Sequence, residues 1–108
     1  MDGVQDPPTP LELHATSQQA HLDFINTDLA LCFTFAEVAA TELVLMNDKG
    51  AAKRALAKAE NGHDTLTGFM VRVDDGPQKR EMESKLIELR TRLDRLRDLL
   101  HAKSSTQL

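Results

Sequence analysis

Apolar residues recur at alternating spacings of three and four along most of this chain. The clearest run begins at Leu22 and ends at Met46, and the alternation returns in two later segments. Such spacing lines up side chains along one side of an α-helix, whereas a half-buried strand would alternate every second residue. The pattern therefore predicts an all-α fold with three helices. The first run comprises Leu22, Ile25, Leu29, Cys32, Ala36, Ala39, Leu43 and Met46.

A second apolar set lies beside the first on the same predicted helix. Its polar residues form only a narrow stripe, and a helix with so little polar surface is normally covered on two sides. Glu37 and Glu42 argue against a membrane span, because each would cost about 2.5–3.5 kcal/mol near the bilayer centre. We therefore expect the first helix to be central in the bundle. The second set consists of Phe24, Leu31, Phe35, Val38 and Leu45.

The segment ENGHDTLTG, residues 60–68, contains two glycines, yet the helical spacing continues through it. We interpret it as part of the second helix, because no apolar position is out of register. Small residues fall on the predicted buried side of this helix, where they allow two helix backbones to approach closely. The small residues are Ala52, Ala55, Ala59 and Gly62.

The third predicted helix has a narrow leucine seam in a charged sequence, a pattern typical of coiled-coil packing. The seam is formed by Met82, Leu86, Leu89, Leu93, Leu96 and Leu100. Oppositely charged residues four apart predict stabilising pairs on the exposed side. These pairs are Glu81 with Lys85, Glu88 with Arg92, and Arg90 with Asp94.

The turn sequences NDKG and DDGP divide the chain into helices at about 17–46, 49–73 and 77–101. These form one domain, residues 10–101, between a flexible arm at 1–9 and a flexible tail at 102–108. Short turns favour an antiparallel, up-down-up three-helix bundle with long helices. The start of the first helix stays open. Thr9, Pro10 and Glu12 form a capping signal, but a start near Ser17 also fits.

The apolar surface of the first helix is too wide for two neighbours to cover, so we expect oligomerisation to complete the bundle. The expected partner is a second copy in a homodimer, or else a partner helix. The alternative is that residues 10–20 fold back and cover the first helix. The predicted interaction face consists of Leu86, Leu89, Leu93 and Leu96, together with Phe24, Leu31 and Phe35.

The function predicted from these patterns is a helical protein-interaction or self-assembly module that is not an enzyme. The sequence shows no catalytic constellation, and no cofactor is expected. The alternative is a metal-binding bundle of the di-iron type. Glu60 and His63 have the Glu-x-x-His spacing used in such bundles, and Glu37 could supply a further carboxylate from the first helix.

The formal net charge of −4 is unevenly distributed. Residues 78–103 contain eight Lys or Arg and five Asp or Glu, whereas the remainder contains five and twelve. This asymmetry favours internal pairing or self-association and argues against nucleic acid as a partner. The first residues have no basic, apolar signal pattern, and the single Cys32 excludes an internal disulfide. We therefore expect a cytoplasmic protein without membrane contact.

Overall fold

A computed structural model describes residues 9–105 and confirms the predicted all-α three-helix bundle. Helix α1 spans Pro10–Val44, α2 spans Lys49–Phe69 and α3 spans Pro77–Ser105, and a short 3-10 turn at Met70–Arg72 follows α2. Consecutive helices run in opposite directions. Residues 1–8 of the predicted arm and 106–108 of the predicted tail lie outside the described residues. No helix within residues 9–105 combines the length and hydrophobicity needed to span a membrane.

Helix α1 begins at Pro10, about two turns before residue 17. The Thr9 hydroxyl caps it by accepting a hydrogen bond of 3.1 Å from the Glu12 backbone N–H. Further along, the Gln18 side chain donates to the Arg72 carbonyl at 3.0 Å and accepts from the Asp74 N–H at 2.8 Å. These contacts fix the early turns of α1 against the α2–α3 connection. Residues 10–20 are therefore a continuous part of α1 and do not fold back over it.

Two lysines join the helix ends at the opposite end of the bundle. The Lys103 ammonium donates to the Leu43 carbonyl at 2.9 Å, and the Lys49 ammonium donates to the Lys103 carbonyl at 3.1 Å. Carbonyls in the last turn of a helix lack helical partners, so the two lysines stabilise the carboxyl-terminal ends of α1 and α3. This contact explains why α3 continues to Ser105 rather than ending at 101. It joins residues far apart in sequence, so the local pattern could not indicate it.

Helix α2 runs without interruption through residues 60–68. Its first turn is capped by Asp48, whose carboxylate accepts a hydrogen bond of 3.0 Å from the Ala51 N–H. Gly62 lies at the α1–α2 contact, where a Cβ atom would be 2.3 Å from the Cys32 Sγ atom. Glycine is thus the residue that permits the observed separation of the two helices at this point.

The core is built almost entirely from aliphatic side chains. The first apolar run of α1, the small residues of α2 and the leucine seam of α3 all contribute buried residues. The described part of the chain contains no buried polar or charged residue. All three predicted charge pairs form along α3, with nitrogen–oxygen distances of 3.5 Å for Lys85–Glu81, 3.8 Å for Arg92–Glu88 and 2.8 Å for Arg90–Asp94.

Candidate functional site: an open face of the helical hairpin

A row of exposed apolar side chains runs along α1. Its members follow one another at intervals of seven residues: Phe24, Leu31, Val38 and Leu45 have 41%, 50%, 42% and 76% of their surface exposed. A residue seven positions further along a straight helix is displaced by only about 20° around its axis. The four side chains therefore form one continuous stripe of about three heptads, the spacing with which helices pack in left-handed supercoils.

Helix α3 lies on the other side of the α1–α2 hairpin. The Arg92 guanidinium sits 5.0 Å from the centre of the Phe33 ring of α1, and Arg97 pairs with Glu60 of α2. These contacts place α3 against one side of the hairpin and leave the exposed row uncovered by it. We call the uncovered side the α1–α2 face. It comprises Phe24, Leu31, Phe35 and Val38 of α1 and its C-cap residue Leu45, with Arg54, Lys58 and Phe69 of α2.

An aromatic cluster closes one end of the α1–α2 face. The ring of Phe24 lies 4.8 Å from that of Phe69, and the His21 ring meets Phe69 edge-on at 5.3 Å. The Arg72 guanidinium stacks on the same Phe69 ring at 5.3 Å. Aromatic and cation–π contacts of this kind each contribute roughly 0.5–1.5 kcal/mol. This end of the face is therefore held in a defined shape before any partner binds.

The two helices of the face carry opposite charge. Helix α1 contains five Asp or Glu and no Lys or Arg, whereas residues 49–59 of α2 contain four Lys or Arg and no Asp or Glu. Lys58 marks the basic edge at the middle of the face, where its ammonium lies 5.5 Å from the centre of the half-buried Phe35 ring. The apolar stripe is thus bordered by a basic edge on its α2 side.

The structure divides the predicted interaction residues into two groups. Phe24 and Leu31 are exposed and Phe35 is half-buried, so all three belong to the α1–α2 face. The leucines of α3 instead pack inside the bundle, where they cover the side of the hairpin opposite the exposed row. They are not exposed to a second chain. The buried leucines are Leu86, Leu89, Leu93 and Leu96.

The residues of the metal-site hypothesis do not come together. Glu60 faces α3, where its carboxylate pairs with Arg97 and with Arg90 at 3.4 Å. Glu37 lies at the groove between α1 and α3, and the His63 ring contacts Asp64 at 3.3 Å. Among residues 9–105, no three His, Cys, Asp or Glu side chains are grouped so that they could hold a metal ion. The arginines of α3 use the carboxylate that a metal would need.

The sequence interpretation misses the contribution of α2 to this face. Phe69 continues the helical spacing of the small residues of α2, which predicts a buried position, but its ring also supports Phe24 at the edge of the exposed stripe. Lys58 carries no local signal, because its contact with Phe35 depends on how α1 and α2 align. The seven-residue interval from Phe24 to Leu45 indicates a second apolar row on α1. The interval does not say that the row is exposed, because the buried residues Leu22, Leu29, Ala36 and Leu43 recur at the same interval.

The side chain of Cys32 in α1 is buried beneath the α1–α2 face, where it packs against Gly62 of α2. Burial raises the pKa of the Cys32 thiol, and the nearby Asp28 carboxylate raises it further. The folded state therefore keeps the neutral thiol, while the unfolded chain loses its proton near the ordinary value of about 8.5. Above that pH the unfolded state binds fewer protons than the folded state, so the free energy of unfolding falls as pH rises.

We therefore expect the wild-type chain to lose stability relative to a Cys32→Ala variant above about pH 8.5, by at most about 1.4 kcal/mol per pH unit. Urea unfolding of both chains between neutral and alkaline pH measures this difference. If the free energies of unfolding of the wild type and the variant changed in parallel with pH, the Cys32 thiol would titrate alike in the folded and unfolded states.

Comparison of the chain with protein-family models, with curated proteins and with solved structures found no match. A function must therefore be argued from the α1–α2 face itself.

Proposed function

We propose that the protein is a non-catalytic self-assembly module in which two copies of the chain pair through the α1–α2 face. The supporting observation is the exposed row at Phe24, Leu31, Val38 and Leu45, which repeats every seven residues. Each Å² of apolar surface that pairing removes from water would stabilise the paired state by about 25 cal/mol. A contact along the whole stripe would remove all four side chains at once.

A second copy suits this surface because each copy carries the same stripe. Twofold pairing is the commonest form of soluble homo-oligomer, and it brings one patch against itself. The seven-residue interval matches the packing of nearly parallel or antiparallel helices, in which one stripe can follow another over several turns. Two hairpins joined in this way would form a four-helix centre with an α3 helix on each outer side.

The fold-back alternative to pairing does not apply, because residues 10–20 belong to α1 and cannot lie on it.

Replacing Leu31 and Val38 by aspartate is expected to convert a dimer into a folded monomer. Two apolar side chains leave the interface, which removes roughly 3 kcal/mol or more of burial energy. That loss corresponds to a dissociation constant raised at least about a hundredfold. Sedimentation equilibrium across the micromolar range measures the mass, and circular dichroism checks that helix content is unchanged.

The matched control is Ile87→Asp, which places the same charge at an exposed apolar position of α3, away from the α1–α2 face. It should remain dimeric. A wild-type chain that stays monomeric throughout the concentration range would contradict self-pairing. A control variant that dissociates as readily as the double variant would place the contact elsewhere on the molecule.

A further inference from the structure

The α1–α2 face carries charges of both signs beside its apolar stripe. Asp28 and Glu42 follow Phe24 and Val38 by four residues, so they lie on the same side of α1, and both are half-buried. Arg54 precedes Lys58 by one turn on the exposed side of α2. Within residues 9–105, none of these four charged side chains forms an ion pair.

Two face-to-face arrangements are possible for two copies, and the charges distinguish them. If α1 lay along α1 of the other copy, Asp28 and Glu42 would meet acidic residues, and the basic α2 helices would meet each other. If α1 lay along α2 of the other copy, the Glu42 end of each α1 would meet the basic residues 49–59 of α2. Like charges in contact cost several kcal/mol at an interface, whereas opposite charges fix orientation and register.

We infer that α1 of each copy packs across α2 of the other, with Glu42 directed toward the Arg54 and Lys58 edge of the second copy. The contacts of Phe35 with Lys58 and of Cys32 with Gly62 show that this basic part of α2 lies level with the Glu42 end of α1, whereas Asp28 lies level with the end of α2 near Leu66. This inference rests on the proposed pairing of two chains and adds to it the orientation of the pair. It also accounts for the half-burial of the Glu42 carboxylate beside an apolar stripe, where an unpaired charge is otherwise unfavourable.

Charge reversal on each helix tests the orientation. The acidic-side variant is Glu42→Lys, and the basic-side variant is Arg54→Glu with Lys58→Glu. Each variant alone would bring like charges together in both contacts, so we expect its dimer dissociation constant to rise at least about tenfold. An equimolar mixture restores opposite charges at both contacts and should form a heterodimer about as tight as wild type.

The control is Asp98→Lys on the exposed surface of α3, which should pair like wild type. Sedimentation with one variant carrying a fluorescent label reads out homodimers and heterodimers separately. Two results would overturn the orientation while leaving the pairing intact. The mixture would form a heterodimer clearly tighter than the wild-type dimer, because an α1–α1 contact brings like charges together in wild type and opposite charges together in the mixture, or both variants would dimerise alone as well as wild type does. A monomeric wild type would instead reject the pairing.

Discussion

Replacing Leu89 by alanine is expected to lower the free energy of unfolding by about 2–5 kcal/mol. The Leu89 side chain is fully enclosed, with no exposed surface, and Leu93 on the next turn is enclosed to the same degree. Truncation leaves a cavity between α3 and the hairpin, because long helices held at both ends cannot easily close around it. Domains of this size have only about 5–15 kcal/mol of total stability, so the double variant with Leu93→Ala should be largely unfolded.

The matched control is Leu99→Ala, which makes the same chemical change on the same helix at a position with 42% of its surface exposed. It should cost less than about 1 kcal/mol. Urea unfolding followed by circular dichroism measures both variants, at one protein concentration because the proposed pairing would add to apparent stability. Equal losses at Leu89 and Leu99 would contradict the placement of this seam in the core.

Substitutions in the leucine seam of α3 test the fold of one chain and not a contact between two copies. The sequence alone suggests that charges at Leu89 and Leu93 would separate two copies and leave a helical chain. Since both side chains are enclosed within one chain, aspartate there would bury a charge without a partner and unfold the bundle. Under the proposed pairing, the exposed stripe at Leu31 and Val38 is where a charge would separate two copies and leave the fold intact.

The number and order of helices followed from local information. The three-and-four spacing of α1 and α2 and the heptads of α3 depend only on neighbours along one helix, so they can be read without tertiary contacts. The helix ends were only partly predictable. The start at Pro10 agrees with the local capping signal of Thr9, whose hydroxyl accepts a hydrogen bond from the Glu12 N–H. The end at Ser105 lies beyond the predicted end at 101, and there Lys103 reaches the Leu43 carbonyl, a contact between residues sixty positions apart.

The site was only partly predictable for a related reason. A leucine seam and a second apolar set both indicate that a helix side is covered, but neither says which helix covers it. Helix α3 takes the core side of the hairpin with its seam, and this leaves the second set of α1 exposed. The residues of the metal-site hypothesis do not come together, because Glu60 points toward the arginines of α3. The Glu-x-x-His spacing does not determine that direction.

Gly62 offers the sharpest test of how closely α1 and α2 approach. In an ordinary helix, Gly→Ala stabilises by about 1 kcal/mol through helix propensity. Here the new methyl group would lie 2.3 Å from the Cys32 Sγ atom, far inside van der Waals contact. Overpacking of this kind typically costs about 1–3 kcal/mol, so we expect Gly62→Ala to destabilise the wild-type chain despite its better propensity.

The same substitution should change sign once the sulfur is removed. In a Cys32→Ala background the Sγ atom is absent, and the Cβ atom of residue 32 lies 4.0 Å from the position of the new methyl group, which is ordinary contact. Gly62→Ala should then be neutral or stabilise by up to about 1 kcal/mol. A double-mutant cycle by urea unfolding measures the coupling, which we expect at about 1–3 kcal/mol. Gly68→Ala, with open space at its Cβ position, is the control and should stabilise in both backgrounds. Additive effects at positions 32 and 62 would mean that α1 and α2 are further apart than the structure places them.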